Sequence, residues 1–145
     1  MSNPTNSHSL HTNPTSHNSY LQPTLSIAHN NVISFSDYTK LFQIINEALS
    51  NNIDILGLSE TNLTSKQSKF IHKEMLPNYY SVFNSAPNKC KGTGVAILLT
   101  PSITSHVIKS KENLGRYIYV DLAFKRQMTI RIFQIYLHAN PSDIH

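Results

Sequence analysis

Between Leu25 and Leu58 the chain passes from a short apolar segment through an amphipathic one into a second apolar segment. This order constrains the fold more than any other feature of the sequence. Leu25-Ser26-Ile27-Ala28 reads as a strand, with His29-Asn30-Asn31 as its exit loop. A helix is predicted from Ser36 or Asp37, because either side chain can accept a hydrogen bond from the first turn. Its apolar residues Leu41, Ile44, Ile45, Ala48 and Leu49 recur at three and four, leaving one face for burial. Asn51-Asn52 stops it. Ile53-Asp54-Ile55-Leu56-Gly57-Leu58 then reads as a buried strand that delivers Ser59-Glu60-Thr61 at its tip. A right-handed crossover makes the two strands parallel, so both end on the same edge of one sheet.

Beyond this unit, Thr64 can cap a second helix through Met75, with Phe70 and Ile71 inward and Lys66, Lys69 and Lys73 outward. Tyr79 to Phe83 is aromatic and predicts a strand. Ser85 to Thr93 is a turn-rich basic loop, and Gly94 to Thr100 is a continuous apolar strand. Arg116 to Phe124 and Met128 to Tyr136 flank a short polar break, which predicts a hairpin. The sum is a mixed α/β domain whose two early helices pack on a mixed sheet and whose hairpins come late.

Composition sharpens the boundaries. Residues 1–23 contain no Asp, Glu, Lys or Arg and almost no aliphatic side chain, so they read as a disordered tail rich in Ser, Asn, Thr, His and Pro. They have neither the basic start nor the apolar core of a secretory signal, nor an Arg-rich transit pattern. His8, His11 and His17 are irregularly spaced and read as polar filler. Residues 24–145 carry all of the charge, a formal +4 over the whole chain, which hints mildly at a polyanionic partner. Cys90 is the only cysteine, which excludes an intrachain disulfide and a zinc cluster. No apolar run approaches the ~20 residues that span a bilayer, and no membrane partner is expected.

Asn30 and Glu60 both fall at the C-terminal ends of the first two strands, where open α/β sheets tend to bind ligands. A carboxylate and an amide oxygen are hard donors that suit Mg²⁺, which takes one or two carboxylates and keeps several waters. The plain alternatives are an exposed loop acid for Glu60 and a turn residue for Asn30. His29 is expected on the opposite sheet face from Asn30. Arg116 could reach a phosphate, with a solvated strand end as the simpler account; Lys89 and Lys91 stand in the same position on their loop.

These residues add up to a resemblance. Ala28-His29-Asn30 after a strand resembles the Thr-His-Asn or Trp-Asn opening of the endonuclease/exonuclease/phosphatase superfamily. Ile53 to Leu63 resembles its "DIL-x-L-x-E-T-x-L" block, and Gly92 to Leu98 its "G-x-G-V-A-I-L" strand. Ile135-Tyr136-Leu137-His138-Ala139-Asn140 is similar to its "Y-x-P-x-N" element, with His138 in place of the proline. The blocks occur in family order over residues 24 to 141, and the nearest likeness is to LINE-type retrotransposon nucleases, beside apurinic/apyrimidinic endonucleases and DNase I.

The resemblance implies a partial DNase I-like α/β sandwich and a Mg²⁺-dependent endonuclease acting on DNA, with Mn²⁺ as a substitute cation. It implies that Glu60 binds the metal, that Asn30 sits beside metal and phosphate, that Tyr136 aims its phenol at the scissile phosphate, and that Asn140 binds phosphate oxygens. The Asn30 register is open, since Asn31 follows directly. Tyr136 alone would read as a packing residue. The family's Gly-Asp-x-Asn and Ser-Asp-His elements normally follow the Tyr-bearing strand, and no Asp-x-Asn or Asp-His pair occurs in this sequence. Residues 24–145 are therefore expected to be the N-terminal half of such a domain, with little nuclease activity alone. One sheet face, with Val95, Ile97, Ile130 and Ile132 as candidates, is expected to stay uncovered unless a partner packs on it. Two other readings stay open: a non-catalytic nucleic-acid-binding or interaction remnant, and a phosphatase-type member acting on small phosphodiesters. A retrotransposon-type nuclease would work in the nucleus; the sequence itself fixes no compartment.

Overall fold

Ser26 and Asp54 set the first two strands side by side before either begins. The Ser26 amide donates to the Asp54 carboxylate at 3.0 Å, and the amides of Asp54 and Ile55 donate back to the Ser26 carbonyl at 2.9 and 3.1 Å. The computed structural model describes residues 24–34, 37–75, 79–84 and 92–137. From this clamp β1 (Ile27–Asn31) runs parallel to β2 (Ile55–Ser59), with Ile27 opposite Ile55 and Asn31 opposite Ser59. The first strand thus lies further along than the apolar run suggests. His29, Asn30 and Asn31 are part of the ladder, not an exit loop, because β2 supplies backbone partners as far as Ser59.

Between them lies α1 (Tyr38–Ser50), capped by Asp37, whose carboxylate accepts from the Thr39 amide at 2.8 Å. Leu41, Ile45 and Ala48 are buried and Ile44 packs beside them, whereas Leu49, predicted inward, is exposed at the end of the stripe. The second helix, α2 (Ser65–Met75), begins on a reciprocal cap: the Gln67 amide donates to the Thr64 hydroxyl oxygen at 3.3 Å, and the Thr64 amide donates to Gln67 Oε1 at 3.1 Å. Ile71 is fully buried, but Phe70, predicted inward, is exposed; one helical step of about 100° separates the two.

A four-stranded sheet follows, in the order β1-β2-β4-β3, where β3 (Tyr80–Asn84) and β4 (Val95–Leu99) pair antiparallel and β4 also pairs antiparallel with β2. The predicted strands at residues 79–83 and 94–100 are both present. Their connecting loop, with Lys89, Cys90 and Lys91, lies outside the described residues. A short helix α3 (Pro101–Thr104), started by Pro101 at its first turn, leads into β5 (Val107–Asn113). β5 pairs with β6 (Tyr117–Ala123), which pairs with β7 (Thr129–Ile135), forming a second, antiparallel sheet. The β6–β7 hairpin is the one predicted.

The two central strands of the four-stranded sheet, β2 and β4, are buried on both faces. On one, Leu56, Leu58, Ala96 and Leu98 meet Leu41, Ile45, Ala48 and Ile71 of the helices. On the other, Ile55, Val95, Ile97 and Leu99 meet Ile118, Val120 and Leu122 of β6, with Ile132 packed at the edge. This corrects the expectation of an uncovered face: Val95 and Ile97 are fully buried, and Ile130 and Ile132 are half-buried. The second sheet folds over the first, so the chain itself covers that face. Gly57 sits at the junction. A Cβ there would collide with the side-chain oxygen of Gln134, a buried residue of β7 that reaches across between the sheets.

Candidate functional site

The parallel pairing of β1 and β2 brings their C-terminal tips together, and the strongest side-chain juxtaposition at this edge centres on Glu60. Asn31 Nδ2 donates to Glu60 Oε1 at 2.9 Å. The other end of the same amide is also occupied: Asn31 Oδ1 accepts from the Ile33 amide at 3.2 Å, which orients the group. The Tyr136 phenol hydrogen-bonds to the Glu60 carboxylate from just beyond β7. Burial, and then the hydrogen bond and negative charge of Glu60, push the Tyr136 phenol above its ordinary range; the positive charge of Arg116 pulls the other way. A carboxylate, an amide, a phenol and a guanidinium thus share one small region.

Backbone bonds fix this edge. The amides of Val32 and Ser34 donate to the carbonyls of Ser59 and Glu60 at 3.0 and 2.8 Å. Those of Thr61 and Asn62 donate to Gly94 and Thr93 at 3.1 and 2.9 Å, and Asn62 Oδ1 accepts from the Thr93 amide at 3.2 Å. The Gly94 amide reaches Gly115 at 3.2 Å, and the Tyr136 amide reaches Arg116 at 2.8 Å. Loops after β1 and β2, before β4, between β5 and β6, and after β7 are therefore knitted together.

The same edge holds backbone in the left-handed region: Ile33 (φ 49°), Ser34 (φ 95°), Glu60 (φ 58°) and Asn62 (φ 51°). Each such non-glycine residue costs on the order of 1 kcal/mol, and clusters of them occur where function over-determines the backbone. Gly92 also has φ +70°, and a Cβ there would lie 3.5 Å from the Tyr136 hydroxyl. Beside Glu60, the Thr61 hydroxyl is buried with no hydrogen-bond partner among the described residues.

The sequence-predicted residues divide. Glu60 and Tyr136 come together, as expected. Asn30 does not join them in the same way: strand alternation turns it towards α1, where it lines a hollow of about 370 Å³ with Ile44, Glu47 and Ala48. The amide that meets Glu60 belongs to Asn31, one residue on. Asn140 and His138 lie outside the described residues. His29 faces away from Asn30, as predicted, and its Nε2 lies 3.2 Å from the Ser59 hydroxyl. Arg116, which reads in the sequence as a solvated strand end, stands close enough to influence the Tyr136 phenol. No sequence signal separates it from a surface arginine, because its proximity is created by the turn that pairs its carbonyl with Tyr136.

The donor set fits a hard divalent cation. Glu60 is a single carboxylate with roughly four lone-pair directions, two of them used by Asn31 and Tyr136. Among the described residues no group of three or more His, Cys, Asp or Glu gathers. A single carboxylate with free lone pairs is a donor that Mg²⁺, which retains waters, can use.

Two sheets packed face to face, helices on the outer face of the first, and a polar rim at the tips of β1 and β2 define a partial DNase I-like α/β sandwich, the fold expected from the sequence. The backbone is similar to that of the AP endonuclease LMAP from Leishmania major, with a TM-score of 0.65 and 13% identity, covering 79% of this chain and 40% of that one. It is also similar to D. rerio TDP2, solved as a complex with a single-strand DNA product, with a TM-score of 0.56 and 15% identity, covering 82% of this chain and 49% of that one. The chain thus spans less than half the length of either. No family model and no curated protein matches the sequence.

Proposed function

We propose that this chain is the N-terminal part of a cation-dependent phosphodiester hydrolase acting on DNA. The observation that carries the reading is the Glu60 carboxylate, set at a strand tip in a strained backbone and held by Asn31 and Tyr136. Its support is the fold shared with two DNA-processing proteins, one of them solved with a single-strand DNA product.

In this reading Glu60 holds Mg²⁺ or Mn²⁺, and Asn31 steadies the carboxylate through its amide. A bound divalent cation would neutralise charge on the phosphoryl oxygens and lower the pKa of an attacking water. Tyr136, neutral at physiological pH as any phenol is, would turn its phenolic proton from Glu60 to a phosphate oxygen. Arg116 adds fixed positive charge on the same side. Water activation needs a positioned base, and the described residues gather no group of three or more His, Cys, Asp or Glu. Hydrolysis by these residues alone is therefore expected to be weak, with the remaining groups supplied by elements beyond those described.

The test is calorimetric titration of Mn²⁺ into the full chain and into Glu60→Gln, with circular dichroism to verify folding. Binding that weakens at least about tenfold in the variant, worth about 1.4 kcal/mol, supports the reading. Equal affinity in both removes Glu60 as the cation ligand and favours a non-catalytic nucleic-acid-binding remnant instead.

A further inference from the structure

The second sheet has an outward face that the site described above does not use. Cross-strand pairing places Tyr119 of β6 between Lys111 of β5 and Phe133 of β7, and places Asp121 between Lys109 and Arg131. The Tyr119 and Phe133 rings lie 5.3 Å apart at 53°. The Arg131 guanidinium stacks 4.3 Å above the Tyr119 ring and 5.9 Å from that of Phe133. Asp121 holds it there with two hydrogen bonds, at 2.6 Å from Nε and 2.9 Å from Nη2. The result is a flat platform of one phenyl ring and one oriented guanidinium. Phe133 keeps 52% of its surface exposed, and Arg131 keeps 47% of its side-chain surface. Lys109 and Lys111, both exposed, flank it on the neighbouring strand.

We propose that this face binds single-stranded nucleic acid, with bases stacking on Phe133 and the Arg131 guanidinium and phosphates drawn to Lys109 and Lys111. Exposed aromatic rings and guanidinium planes on a sheet are platforms for unpaired bases, and flanking lysines track the backbone. The charge is complementary: three cations share the face with one carboxylate, and that carboxylate is committed to Arg131. Single strands are favoured over duplex because only unpaired bases can turn their flat surfaces onto Phe133; a duplex would use the lysines and leave the ring idle. A protein segment of apolar character would offer Lys109 and Lys111 no opposite charge. At one end the face reaches the Tyr117–Ile135 pair, next to Arg116 and Tyr136, so a bound strand would approach the Glu60 rim. The inference stands apart from any chemistry at Glu60.

The test is fluorescence anisotropy of a labelled oligo-dT of about 20 nucleotides, a length that spans one or more typical platforms. The full chain is used, in EDTA, so that no cation bridges phosphate to Glu60. Lys109→Ala/Lys111→Ala is expected to weaken binding and to flatten the dependence of log affinity on log salt by about 1.4, the value for two phosphate contacts on a single strand. Phe133→Ala is expected to weaken binding about tenfold, and Phe133→Trp, which keeps a stacking ring, to restore it. The proposal is overturned if the double-lysine variant keeps the wild-type salt slope or Phe133→Ala keeps the wild-type affinity. Duplex binding as tight as single-strand binding also overturns it, as does sedimentation showing that a second copy of the chain occupies the face.

Discussion

The β2–β4 ladder and the rim at Glu60 lie a few residues apart in the chain and are built on opposite terms. Along the ladder every residue from Ile55 to Ser59 and from Val95 to Leu99 is buried, and apolar side chains fill both faces. At the rim, Glu60 and Asn62 are polar and half-exposed, the backbone turns left-handed at Ile33, Ser34, Glu60 and Asn62, and hydrogen bonds to neighbouring loops hold it in place. The ladder derives its stability from packing. The rim draws on that stability to keep Glu60 where Asn31 and Tyr136 can reach it. Strain at the rim is tolerable because the strands that feed it cannot move.

Two substitutions and one change of pH test this contrast. The largest effect is expected in the ladder: Leu98→Ala, at a fully buried position, should cost about 2–5 kcal/mol in urea unfolding. A loss below about 1 kcal/mol would mean that the ladder is not the stabilising element. At the rim the sign should invert. Ile33 is exposed and β-branched with φ 49°, so Ile33→Gly should stabilise by roughly 0.5–1 kcal/mol once the greater freedom of glycine in the unfolded chain is subtracted. Destabilisation there would show that the conformation is not strained.

The smallest effect concerns pH. The Tyr136 phenol is held above its ordinary value by burial and then by Glu60. A raised folded-state value contributes stability that is present below the unfolded value, near 10, and lost as pH rises through the folded one. Ultraviolet titration of the phenols should find two that ionise later than the exposed tyrosines, Tyr79 and Tyr136, and Tyr136→Phe should remove one of those two components. Glu60→Gln should move the Tyr136 component only part of the way back, since burial is the larger cause.

Much of the fold is legible in the sequence because it rests on local rules. Asp37 and Thr64 announce their helices by capping chemistry, and the apolar runs ending at Leu58 and Leu99 have the length and composition of buried strands. The β6–β7 hairpin follows from two alternating patterns and a short polar break. What escaped is set by partners distant in sequence. β5, which reads Val-Ile-Lys-Ser-Lys-Glu-Asn, has no apolar pattern because it is an exposed edge, and only β6 makes it a strand. Covering of Val95 and Ile97 depends on the second sheet folding back, which no local pattern encodes. At the site, Glu60 and Tyr136 are recognisable from their blocks. Choosing between Asn30 and Asn31 needs the strand register, since a shift of one residue turns a side chain to the other face.

Gly57 and Gln134 carry a further consequence. A bare backbone in the middle of β2 leaves room for an amide from β7, so a side chain at position 57 would compete with Gln134 for the same space. Sliding the sheets along β2 would bring that amide against Ile55 or Ser59, which share the face of Gly57. A larger residue at position 57 would have to displace the end of the Gln134 side chain, and a shorter residue at 134 should ease it.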